Sequence, residues 1–282
     1  MKKTAVLLTV FNRKEVTLSG LRLLYSAIQH TQEMLFDIFM VDDGSTDNTS
    51  EAVAKEFTNI HIIKGNGNLF WSGGMRLAWS SALKTDNYDY YILFNDDAMI
   101  FPESLNSLFE ADQYYKGQAI VSGAFRDENG NVSYGGRNKT ECIIEPNGCY
   151  QNIYLMNGNL VLIPRIVVQK IGIIDPVFRH SLGDWDYGCR AIKAGFMVVL
   201  TKDYVGETNR HDMCIAAPFL SKYPLRQRLK QLYSPKYHPK LSWTFNIRHM
   251  GLRKAFKSLM VEHLYVLMPF MAVCIRKLQR KA

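Results

Sequence analysis

Tyr90-Tyr91-Ile92-Leu93-Phe94-Asn95-Asp96-Asp97 is the stretch on which the reading of this chain turns. Five apolar or aromatic residues give way at once to an amide and two carboxylates. A short apolar run bounded by turn residues predicts a strand buried on both faces, of the kind found in parallel sheets. The adjacent carboxylates repel one another unless a cation neutralises them. Hard oxygen donors of this sort select Mg²⁺ or Mn²⁺, commonly shared with a substrate diphosphate. A helix cap or an Asx turn ahead of Pro102 is the plainer explanation of the same residues.

Working outward, residues 4–10, 36–41 and 60–63 predict three earlier strands, separated by helices over 13–30 and from an Asp47 cap through 57. Residues 65–74 are rich in Gly and Asn and predict a loop, with a helix over 75–83 behind it. Downstream the pattern predicts a helix after Pro102, a strand at 119–122 and a hairpin excursion over 127–150. A strand at 159–163, helices at 165–171 and 184–194, and a last strand at 197–201 follow. Such alternation implies an α/β domain with a mostly parallel sheet covered on both faces, whose ligands bind at the carboxyl ends of the strands.

The polar clusters fall at those ends. Asn12-Arg13 follows the first strand, Asp42-Asp43-Gly44-Ser45 the second, and Asn95-Asp96-Asp97 the fourth. A carboxylate after the second strand can accept hydrogen bonds from a base N–H or from ribose hydroxyls. The run from Gly65 to Gly74, with Gly67 and Trp71, offers flexible backbone and an aromatic for close approach by a nucleotide or sugar. Neither G-x-G-x-x-G nor a P-loop is present, which removes support for a dinucleotide oxidoreductase or an ATPase. Asp184 opens a helix and suits either a cap or a general base, with Trp185 as an apolar wall. His211 can complete a metal shell or contact a phosphate, although a lone His is more often structural.

In order and chemistry these pieces resemble family-2 glycosyltransferases of the GT-A fold. The matching residues are Thr9-Val10-Phe11-Asn12-Arg13, the stretch from Val41 to Asp47, Asn95-Asp96-Asp97 and the stretch from Gly183 to Arg190. The stretch from Gly67 to Met75 is similar to that of bacterial rhamnosyl- and galactosyltransferases of surface polysaccharide synthesis. The resemblance covers roughly residues 4–215. It implies that Thr9, Phe11, Asn12, Arg13, Asp42 and Asp43, with Gly67, Trp71 and Gly74, bind the donor, and that Asp96 lies near the ribose. It further implies that Asp97 binds the metal, that Asp184 is the base, and that Trp185 and Asp186 stand on the acceptor side. The reaction implied is inverting transfer of a sugar from a UDP- or dTDP-linked donor to a saccharide or lipid-linked acceptor. Two departures stand out: Asn95 opens the metal triplet where Asp is usual, and the base motif reads Gly-Asp-Trp-Asp. Both keep the last carboxylate. A sugar nucleotidyltransferase is the enzymatic rival, although it needs a Gly-rich, basic triphosphate loop that Phe11-Asn12-Arg13-Lys14 supplies poorly. A catalytically idle sugar-binding subunit is the rival outside enzymes.

The chain has 282 residues, 47% hydrophobic and 21% charged, which excludes a disordered or collagenous protein. Five cysteines with no C-x-x-C pair argue against a disulfide framework or zinc knuckle and fit a reducing compartment. The net charge of +8 is unevenly placed. Residues 1–217 hold 20 Lys/Arg against 25 Asp/Glu, whereas residues 218–282 hold 14 against the single Glu262. That division predicts a catalytic domain over 1–217 and a basic, amphipathic helical tail over 218–282. Aromatic and aliphatic residues interleave with the cations, which suits an anionic membrane surface better than nucleic acid. The expected location is cytoplasmic, peripheral on the inner face of the membrane. The amino terminus lacks the long apolar core of a signal peptide, and no run of about 18 uncharged apolar residues is present, which argues against a conventional spanning helix.

Overall fold

A computed structural model describes residues 1–208 and 217–272. The chain runs β1 (Lys2–Val10), α1 (Lys14–Gln29), β2 (Met34–Asp42), α2 (Thr49–Glu56), β3 (Ile60–Lys64), α3 (Phe70–Thr85), β4 (Tyr90–Phe94) and β5 (Met99–Ile100). It continues through α4 (Ser104–Tyr114), β6 (Ala119–Arg126), β7 (Val132–Tyr134), β8 (Gly136–Arg137), β9 (Ile143–Ile144), β10 (Gln151–Asn152), β11 (Leu155–Met156) and β12 (Leu160–Pro164). Then come α5 (Arg165–Ile171), α6 (Gly183–Lys193), β13 (Met197–Glu207), α7 (Leu225–Leu232), α8 (Pro239–His249) and α9 (Leu252–Leu267).

The main sheet has the order β10-β13-β6-β12-β4-β1-β2-β3, with β5 on β13 and β7 on β6. β1 pairs in parallel with β2 and β4, β2 with β3, and β13 with β6. Side chains alternate across the strands, so β1 feeds two cores. Val6, Leu8 and Val10 pack with Leu21 and Leu24 of α1 and Leu105 and Leu108 of α4. Ala5 and Leu7 pack on the other face with Met75, Ala78 and Trp79 of α3 and Tyr187 of α6. The fold is therefore the mixed α/β arrangement that the alternation implies.

β12 runs antiparallel to both neighbours, β4 and β6, because the chain returns to it from a hairpin excursion and not through a crossover helix. Two local expectations are corrected. Residues 70–74 belong to α3 and not to the preceding loop, for a reason that lies in the site. The cap of α2 is Asn48, in the left-handed region, but the capping oxygen belongs to Asp47, whose Oδ1 accepts from the Thr49 amide at 3.1 Å.

The chain divides into two compact units, one of Met1–Pro176 with Gly183–Asn209 and one of Val177–Leu182 with Arg210–Ala282. Inside the second, α8 and α9 are joined by the Asn246 amide donating to Ser258 Oγ and by Trp243 set edge-on to Phe256. α7 meets α9 where Arg228 donates to the Val266 carbonyl at 2.6 Å.

Candidate active site

Loops at the carboxyl ends of β1, β2 and β4 are stitched together by side chains. Asn12 takes φ 50°, donates its amide to Ser45 Oγ at 2.9 Å and accepts from the Thr46 amide at 2.7 Å. Asp47 Oδ2 accepts from the Lys14 amide at 2.9 Å, which ties the start of α1 to the β2–α2 loop. Asp42 is buried and accepts from the Ser45 amide and the Ser50 hydroxyl, with Lys64 Nζ at 3.4 Å. Burial alone would raise its pKa, but those hydrogen bonds and the lysine outweigh it and hold the carboxyl below its ordinary value.

Asp43 performs a different task. Its Oδ1 accepts from the Gly67 amide at 2.9 Å and its Oδ2 from the Leu69 and Phe70 amides at 2.8 and 3.1 Å. The Leu69 and Phe70 amides are unpaired donors at the start of α3 and the Gly67 amide belongs to the loop before it, so a carboxylate from another loop caps this helix and ties the preceding turn to it. Phe70 takes φ 57°, a rare value for a bulky residue, and its amide is held by the same carboxylate.

The three residues after β4 are divided in function. Asn95 is committed: its Oδ1 accepts from Trp71 Nε1 at 2.6 Å, and its Nδ2 donates to Asn159 Oδ1 at 2.7 Å. Asp96 is fully buried, accepts from Thr17 Oγ1 at 2.6 Å and pairs with Arg13 at 2.5 Å. Burial dominates and pushes its carboxyl up to about 6 against the pull of Arg13 and Thr17. Asp97 is part-exposed. Arg13 Nη1 donates to its Oδ2 at 3.0 Å, and Oδ1 has no protein partner among the described residues. Among those residues no group of three His, Cys, Asp or Glu gathers to hold a metal. A part-exposed carboxylate with one oxygen unpartnered among the described residues fits an ion shared with a diphosphate, since Mg²⁺ is usually held by one or two carboxylates, water and substrate phosphate.

Asp184 closes the site. The Gly158 amide donates to its Oδ2 at 3.1 Å and the Trp185 amide to its Oδ1 at 2.9 Å. Burial pushes this carboxyl up to about 6 despite both donors. Gly158 leaves no room for a side chain, because a Cβ there would lie 2.4 Å from the Trp71 ring. The turn at 157–159 thus joins Asp184 to Asn95 through Gly158 and Asn159, with Trp71 against both. Asp184 and the carboxylate-bearing turn after β4 stand at the ends of one short hydrogen-bonded network.

Residues 5–172 match the sequence profile described as Glycosyl transferase family 2. The chain belongs to glycosyl transferase family 2. A curated relative, the N-acetylglucosaminyl-diphospho-decaprenol L-rhamnosyltransferase of Mycobacterium tuberculosis, is 21% identical over 192 residues in strain CDC 1551 / Oshkosh and equally so in strain ATCC 25618 / H37Rv. The match takes in 57% of this chain and 62% of those proteins, less than two thirds of their length. Among solved structures, the crystal structure of GalNAc-T7 with UDP, GalNAc and Mn²⁺ superposes with a TM-score of 0.57 at 12% identity, covering 82% of this chain and 47% of that one. That likeness establishes the GT-A fold.

Within this family-2 chain, some expected donor residues serve as scaffold. Gly74 is buried against Thr9, where a Cβ would meet Thr9 Oγ1 at 2.1 Å, so it lets α3 cross the end of β1. Gly67 takes φ 79° and gives its amide to Asp43. Asp96 is sealed by Arg13 and Thr17 and presents no surface to a ribose. Asp186, expected on the acceptor side, is buried and accepts from Arg190 Nε at 2.8 Å. Two positions along a helix turn a side chain away from that of Asp184. Phe11 and Trp185 keep partial exposure, Phe11 at 53%. His211 lies outside the described residues. Sequence reasoning missed Thr17, Gly158 and Asn159. Thr17 carries no signal inside an amphipathic helix, whereas Asn157-Gly158-Asn159 ahead of a strand is a visible polar turn.

Proposed function

We propose that this chain is an inverting glycosyltransferase that moves a sugar from a UDP- or dTDP-linked donor to a saccharide or lipid-linked acceptor in cell-surface polysaccharide synthesis. The observation that carries the reading is the linkage of Asp184 to the Asn95-Asp96-Asp97 turn through Gly158 and Asn159. Asp184 takes the proton from the acceptor hydroxyl while that oxygen forms a bond to the anomeric carbon. The bond from that carbon to the diphosphate oxygen breaks, and the electron pair leaves with the nucleoside diphosphate. Attack opposite the leaving group inverts the anomeric centre. Asp97 is the residue that would hold Mg²⁺ or Mn²⁺, and a bound ion would offset charge on the diphosphate. Arg13 fixes the Asp97 carboxylate from behind, and Asp43 shapes the 65–70 loop on which the donor would rest. The curated relative's named activity, rhamnosyl transfer to a lipid diphosphate sugar, supports a lipid-linked acceptor.

Release of nucleoside diphosphate from a panel of UDP- and dTDP-sugars tests the assignment. Asp184→Asn is expected to lower turnover by about 10²–10⁴-fold while donor affinity is kept. Turnover at the wild-type rate would remove Asp184 from the role of base.

A further inference from the structure

Among the described residues the helical unit carries an apolar surface that is largely exposed. On α9, Leu252, Phe256 and Met260 recur every four residues, and Leu267 falls on the same face. Each of the four is more than half exposed, from 51% to 72%. An adjacent face, with Ala255 and Val266 roughly a quarter turn round the helix, is the one that is buried. α7 repeats the pattern with exposed Leu225, Leu229 and Tyr233. The Tyr233 hydroxyl lies 2.8 Å from Nε2 of His263, which shares the α9 face, so the two stripes adjoin.

Cations border this surface. Arg253 and Lys257 are exposed along one edge of the stripe on α9, with Lys254 exposed farther round the same side, and Arg226 and Lys230 are exposed on α7. Glu262, the single acid in residues 218–282, is part-buried and burial raises its pKa, so little negative charge faces solvent there. Trp243, edge-on to Phe256, adds an aromatic of the kind enriched where apolar and aqueous phases meet. No helix among the described residues is long and apolar enough to cross a membrane. A stripe of large apolar side chains rimmed by Lys and Arg, on helices too short to span, matches an element that lies in the plane of a bilayer surface.

We propose that the α7–α9 face is a docking surface for an anionic lipid bilayer, with Phe256, Met260 and Leu267 entering the acyl boundary and the flanking cations meeting lipid phosphates. The claim is independent of sugar transfer, because vesicle binding is read without a donor.

Sedimentation of the full chain with vesicles tests it. Binding is expected to vesicles containing phosphatidylglycerol, to be absent with phosphatidylcholine alone, and to fall with salt. Removing the three cations together in R253Q/K254Q/K257Q should weaken binding about 10²-fold, since each contributes about fivefold near such a surface. F256S/M260S should weaken it at least about tenfold per residue. All five side chains are exposed, so unchanged melting temperatures check that both variants are folded. Equal binding to neutral vesicles, or wild-type binding by both variants, overturns the proposal, and both are read independently of folding defects. So does a dimer, seen by light scattering, that F256S/M260S disperses while vesicle binding persists. Binding unaffected by F256S/M260S but competed away by nucleic acid would reassign the cations and overturn it as well.

Discussion

Asp184 receives two backbone hydrogen bonds and still titrates near 6, because burial outweighs both. A general base works best with a pKa close to the operating pH, and an ordinary aspartate at about 3.9 is too weakly basic. Only the ionised form can take the acceptor proton. The value of kcat/KM should therefore fall as pH drops through about 6, with full activity above it. A pH–rate profile over about pH 5–8 reads this directly. A limb near 4 would show that the essential carboxyl is solvated and is not this one. The same residue scale explains what the sequence disclosed. Acids at strand ends were legible as a site because apolar runs stop at them. Which lone pairs are already taken was not legible. Asp43 is consumed by three amides, Asp96 by Arg13 and Thr17, and Asp186 by Arg190, through partners distant in sequence or on the hidden side of a helix.

At the scale of elements, α1 does more than cover the sheet. Its Gly20 sits against the turn after β4, where a Cβ would lie 2.1 Å from the Asp96 carbonyl oxygen. Both sides of that contact are backbone and cannot give way cheaply. On an isolated helix, Gly→Ala gains up to about 1 kcal/mol from propensity. Here overpacking of about 1–3 kcal/mol opposes it, so Gly20→Ala should destabilise the fold and displace Asp96-Asp97. A lower urea midpoint together with weaker nucleoside diphosphate binding is the expected result, and a raised midpoint would refute it. The helices and parallel strands were readable because hydrophobic periodicity is local. The antiparallel setting of β12 and the early start of α3 were not, since one depends on how a hairpin excursion returns and the other on a carboxylate donated by a different loop.

For the molecule as a whole, charge and compactness draw different boundaries. The charge count separates residues 1–217 from a +13 remainder, yet residues 177–182, far upstream, group with the helical unit. Phe178 in that segment is fully buried, and the Arg248 guanidinium of α8 lies 5.8 Å from its ring centre. A chain ended at 217 would lose that cover only six residues before Asp184. The basic region therefore contributes to the packing of the 177–182 segment, and a simple truncation would confuse loss of lipid binding with loss of folding. Phe178→Ala isolates the structural part, because it leaves every cation and the exposed stripe in place. Emptying a fully buried phenylalanine site costs about 3–5 kcal/mol. The urea midpoint of the full chain should fall accordingly while vesicle binding at low temperature is retained. A loss below about 1 kcal/mol, as for an ordinary surface substitution, would show that the 177–182 segment is not built into the helical unit.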